Sequence, residues 1–83
     1  MFLFVAVWLW FFKGEINAAK RFYTMGVNYL EQKDYKKALN LFLKAIKDKV
    51  NFKEALLNLG LCYLKIKEDQ KAKESFEKAL NIG

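Results

Sequence analysis

The chain repeats itself. Phe22-Tyr23-Thr24-Met25-Gly26-Val27-Asn28-Tyr29-Leu30 returns 34 residues later as Leu56-Leu57-Asn58-Leu59-Gly60-Leu61-Cys62-Tyr63-Leu64. The offset pairs Gly26 with Gly60 and Tyr29 with Tyr63, then Ala38 with Ala72, Phe42 with Phe76 and Ala45 with Ala79. A fixed period of this length means stacked supersecondary units, none of which buries its apolar face alone. That requirement fixes the class of fold and leaves the partner open.

Within each unit the apolar residues fall at helical spacing, as in Ile16, Ala19, Phe22, Tyr23, Gly26, Val27 and Leu30. The spacing predicts helices over about 15–31, 35–48, 52–66 and 70–81. Short polar turns separate them, with Asp34 an N-cap for the second helix and an acidic cap again in Lys67-Glu68-Asp69. Asn51 with Glu54 reads as a capping box for the third. No segment alternates with period two, so the expected class is all-α. Gly26, Gly60, Ala38 and Ala72 are small where paired helices must approach, and Tyr29, Phe42, Tyr63 and Phe76 fill the space beside them. Glycine inside a helix costs about 1 kcal/mol relative to alanine, so its recurrence points to packing.

These positions resemble the tetratricopeptide repeat pattern, Trp-x2-Leu-Gly-x2-Tyr followed by Ala-x3-Phe and Pro. In the first unit Phe22, Met25, Gly26, Tyr29, Ala38, Phe42 and Ala45 take those places, with Val50 where Pro is usual. In the second, Leu56, Leu59, Gly60, Tyr63, Ala72, Phe76 and Ala79 do so. The resemblance implies two helix-turn-helix hairpins, about 19–52 and 53–83, in a short right-handed α-solenoid. It also implies a concave partner-binding face lined by Lys20, Tyr23, Val27, Leu30 and Glu31, and by Glu54, Leu57, Asn58, Leu61, Leu64 and Lys65. The family's carboxylate clamp needs Lys and Asn where this chain has Tyr23 and Val27, and only Asn58 matches, so the groove is expected to take an apolar helix or peptide. Packing of Tyr23, Val27, Leu57 and Leu61 within the domain is the competing expectation. Arrays usually need three units, so the domain is expected to stack on a copy of itself or on another subunit, with Phe76, Leu80 and Ile82 at an uncovered end.

Residues 1–12 are apolar without a break, and Lys13-Gly14 ends the run. A helix of that length spans about 18 Å, short of the ~30 Å hydrocarbon core. No basic residue precedes the run and no small-residue cleavage site follows, so a signal peptide fits poorly. Insertion into a membrane or a partner would use Phe2, Leu3, Phe4, Val5, Val7, Trp8, Leu9, Trp10, Phe11 and Phe12. Trp8 and Trp10 suit a bilayer interface and Lys13 can snorkel. Burial against another protein and an ordinary core helix are the alternatives. If the segment spans, Lys13, Lys20 and Arg21 favour placing residues 15–83 on the cytoplasmic side.

The remaining features narrow the function by exclusion. There is no His, and the one cysteine, Cys62, has no thiol partner and reads as a packing residue. No phosphate loop, nucleophile constellation or metal spacing is present, so a non-enzyme without cofactors is expected. The net charge of +6 draws on Lys33, Lys37, Lys44 and Lys47, echoed by Lys67, Lys71 and Lys78. Such a stripe reads first as a solvated outer face, and nucleic acid is not expected. The sequence therefore supports an interaction adaptor, either tethered through its leader or self-assembling in solution.

Overall fold

The structure, a computed structural model, describes residues 18–82. Four α-helices follow one another there: α1 (Ala18–Glu31), α2 (Tyr35–Asp48), α3 (Lys53–Lys65) and α4 (Asp69–Ile82). The described residues contain no strand. The leader and the expected start of the first helix near Glu15 lie outside them. Among the described residues, no helix is long and apolar enough to cross a membrane.

α1 packs on α2 and α3 on α4, giving two hairpins, and α3 also lies against the first hairpin. Both hairpin turns close in the same way. Asp34 N–H donates to the Tyr29 carbonyl at 2.9 Å and Lys33 N–H to that of Leu30 at 3.0 Å. Glu68 and Lys67 repeat the pair on Tyr63 and Leu64 at 2.8 and 3.0 Å. This nested pair ends a helix through one left-handed residue, here Lys33 (φ 64°) and Lys67 (φ 65°). Asp34 then caps α2, its Oδ1 accepting from Lys37 N–H at 3.4 Å.

The third helix starts differently from expectation. Phe52, not Asn51, holds the N-cap of α3, and no side-chain hydrogen bond caps it. Phe52 is buried, its ring 5.1 Å from that of Tyr23. A side-chain cap contributes about 1 kcal/mol, whereas a buried phenylalanine contributes about 3 kcal/mol or more, so the ring decides the register.

Each hairpin closes over its glycine. A Cβ added to Gly26 would stand 2.6 Å from Cε1 of Phe42, and one on Gly60 the same 2.6 Å from Cε1 of Phe76. Ala38, Ala45, Ala72 and Ala79 are buried beside these contacts. The joint between hairpins is a stripe on α3. Ala55 packs with Ala19, Ala45, Tyr23 and Ile46, while Leu59 and Cys62 pack with Ala38, Phe42, Leu30 and Leu39.

Candidate partner-binding surface

The residues expected on the concave face divide into two groups. Tyr23, Val27 and Leu30 of α1 are half-buried and pack into the joint. The Tyr23 ring lies 5.9 Å from that of Phe42, and its hydroxyl accepts a hydrogen bond from Asn58 Nδ2 at 3.2 Å. Asn58, the one residue matching the carboxylate clamp, is thereby engaged in tying α3 to α1. Lys20, Glu31, Glu54 and Lys65 are exposed and supply a polar rim. The second group is open to solvent: Leu57, Leu61 and Leu64 on α3 are 40%, 37% and 45% exposed, and Leu80 on α4 is 73% exposed.

The 34-residue offset explains why these leucines are bare. Leu57, Leu61, Leu64 and Leu80 stand where the first hairpin has Tyr23, Val27, Leu30 and Ile46. All four of those residues pack into the clusters that α3 completes. The second hairpin presents the same face with nothing described over it. Phe42 and Phe76 record the difference directly. Both rings press on a glycine at 2.6 Å, yet Phe42 is fully buried and Phe76 is only half-buried. The expected site residues therefore differ in exposure between the two helices. Those of α1 serve the joint, and those of α3 join Leu80 in an apolar edge.

Two substitutions along α4 depart from the first hairpin, and only the first falls at a position that packs in the joint there. Lys73 takes the place of Leu39, and Glu77 that of Leu43. Both are exposed, and the offset already carried this signal although neither residue stood among the expected site residues. Elsewhere the lysine stripe has a local use. Lys37 Nζ lies 5.5 Å from the Tyr29 ring centre, its equivalent Lys71 lies 5.9 Å from Tyr63, and Lys44 lies 5.9 Å from Phe22. Cations over exposed ring faces add about 0.5–1 kcal/mol each.

A second concavity of about 530 Å³ lies between α2 and α4, which do not meet. Leu56 and Leu59 of α3 form part of its lining, with Leu43, Ile46, Ser75 and Ile82 around them. Ser75 occupies the position of the buried Leu41, and the smaller side chain leaves room there. Cys62 is fully buried in the joint, and burial pushes its thiol up to about 11. It stays protonated at neutral pH, which suits packing and not nucleophilic chemistry.

No curated protein matches the chain. The profile of the tetratricopeptide repeat family matches residues 29–83. That match begins inside the first hairpin and runs through the second. It covers the Schellman turns, the glycine–phenylalanine contact of the second hairpin and the small stripe of α3. On the match and the two equivalent hairpins, the chain belongs to the tetratricopeptide repeat family, whose repeats serve as protein-interaction modules.

Proposed function

We propose that this protein is a non-catalytic adaptor that seats an apolar helix or peptide of a protein partner on the leucine edge of its second repeat. The carrying observation is the exposure of Leu57, Leu61, Leu64 and Leu80 at positions whose equivalents are packed against a helix in the first repeat. Contiguous exposed apolar residues with a charged rim mark interaction surfaces. The uninterrupted apolar run of residues 1–12, with Trp8, Trp10 and Lys13, supports a tether to a membrane or membrane complex, with the repeats on its cytoplasmic side.

A photo-crosslinking residue placed at position 80 in cells tests the adaptor reading, with the exposed outer position Lys36 as control. The expected result is a discrete protein adduct from position 80 and none from position 36. Adducts from position 36 with none from position 80 would overturn the assignment of the edge. Carbonate washing of the same membranes tests the tether: retention in the pellet is expected, and full release would exclude insertion.

A further inference from the structure

The excess positive charge of the described residues sits on the first hairpin and the turn after it. From Glu54 to Ile82 five lysines meet five acidic residues, so that stretch is neutral. Most of the excess lies at one end, the end where α1 begins. Ala19 in the first turn of α1 clusters with Ala45 near the end of α2 and with Phe52 and Ala55 at the start of α3. Around this cluster Lys20, Lys44, Lys47, Lys49 and Lys53 are all exposed, with Arg21 beside Lys20. Asp48 and Glu54 are the acids among them, and neither forms a salt bridge with these lysines.

The turn between α2 and α3 gives this end an apolar tip. Lys49 N–H donates to the Ala45 carbonyl at 2.9 Å and Phe52 N–H to that of Lys49 at 3.2 Å, so the chain reverses tightly. Phe52 is buried by that reversal and Val50 is left 72% exposed. Lys49 Nζ stays 4.8 Å from the Phe52 ring centre, which keeps its charge close to the tip. The opposite end has no such tip. In Gln32-Lys33-Asp34 and Ile66-Lys67-Glu68 each lysine has an acid next to it, and no large apolar residue is exposed there.

We propose that this end docks on the anionic phospholipid headgroups of the bilayer that holds residues 1–12, with Val50 at the acyl boundary and Lys20, Lys47, Lys49 and Lys53 on the lipid phosphates. The proposal rests on the tether reading above and gives it a lipid class and an orientation. An apolar residue ringed by amines matches the layering of a bilayer surface, where apolar groups enter below and long amines reach back to the headgroups. Lysines close to an anionic leaflet each strengthen the attraction. Covalent geometry brings the surface within reach: four residues, at most about 14 Å of extended chain, separate Lys13 from Ala18. An apolar run shorter than the hydrocarbon core gains from a second attachment of this kind. A nucleic acid would engage the same amines but has no use for the exposed valine between them.

The full chain reconstituted into vesicles tests this, with a polarity-sensitive dye on Asn51→Cys in the turn or on Lys36→Cys at the far end. Both sites are exposed, and Cys62 is fully buried and stays unlabelled. Trp8 and Trp10, the chain's two tryptophans, report the apolar run separately. On phosphatidylcholine vesicles with about a quarter phosphatidylserine, emission at position 51 is expected to shift to the blue. The shift should be lost on pure phosphatidylcholine, and on raising salt from about 0.05 M to about 0.5 M. The dye at position 36 should not respond. Lys47→Gln with Lys53→Gln, and separately Val50→Ser, should remove most of the shift with the helical circular dichroism unchanged. Lys36→Gln with Lys65→Gln, the same charge change at the far end, should leave it intact. An equal shift on both vesicles, or equal effects of the two lysine pairs, would overturn the inference and, with tryptophan emission still blue-shifted, leave the tether standing. Tryptophan emission unmoved by either vesicle would overturn the tether and the inference with it. A response at position 51 to short duplex DNA, with none to the anionic vesicles, would overturn the assignment to lipid.

Discussion

Gly26 and Gly60 meet their phenylalanines at the same 2.6 Å, yet the two sites should respond differently to the same methyl group. An alanine at either position must push a ring aside, and overpacking of this kind costs about 1–3 kcal/mol. Replacing a helical glycine returns about 1 kcal/mol, so the net sign depends on whether the ring can move. Phe42 is enclosed by α3 and cannot, whereas Phe76 is half-buried and can swing toward the bare edge. Gly26→Ala should lower the urea midpoint clearly, and Gly60→Ala should leave it nearly unchanged. Gly60→Leu exceeds what the ring can yield and should destabilise strongly. Equal midpoints for the two alanine variants would mean that α3 does not hold Phe42 in place. The same comparison bears on the edge, because a bound helix should make Gly60→Ala as costly as Gly26→Ala.

At the scale of elements, both hairpin turns carry a lysine in the left-handed region that glycine occupies at least cost. The left-handed conformation costs a side-chain-bearing residue about 1–2 kcal/mol. Glycine's greater freedom in the unfolded chain offsets part of that gain, so Lys33→Gly and Lys67→Gly should each stabilise by about 0.5–1 kcal/mol. Thermal melts should show a rise of a few degrees for each, additive in the double variant. A fall in either melt would mean that the lysine side chain contributes more than its backbone strain costs. These turns also show what could be read from residues alone. Helix extents and hairpin pairing follow from apolar spacing and the 34-residue offset, because both are local or periodic. The left-handed lysines do not, since nothing in a lysine announces positive φ. Asn51 misleads for a related reason: its capping chemistry is local, and the burial of Phe52 against Tyr23 that outweighs it is not. The candidate site splits along the same line. Leu57, Leu61 and Leu64 were legible as apolar, but the hydrogen bond that engages Tyr23 with Asn58 becomes visible only in the folded contact between them.

At the scale of the molecule, the described residues share a single joint between hairpins. A repeat array is held by the intrinsic stability of each unit plus the interface to its neighbour. Here two units share one interface, and its centre is Leu59 with Ala55 and Cys62 on either side. Leu59→Ala removes a buried leucine at a cost of about 2–5 kcal/mol. A domain this small has little more than about 5 kcal/mol in total, so the loss should be felt by both hairpins and not by α3 alone. Native-state hydrogen exchange is the measurement that separates the cases. Amides in α1 and α2 should lose protection together with those in α3 and α4, by the same factor, because neither hairpin buries enough apolar surface alone. Retained protection in α1 and α2 would show a first hairpin that folds independently, and the leucine edge would then be a local feature of the second hairpin and not the open end of a cooperative array. The converse holds for a bound partner. A helix seated on Leu57, Leu64 and Leu80 adds an interface to the one between the described hairpins, and it should raise protection in α1, far from the contact, as well as in α4 beside it.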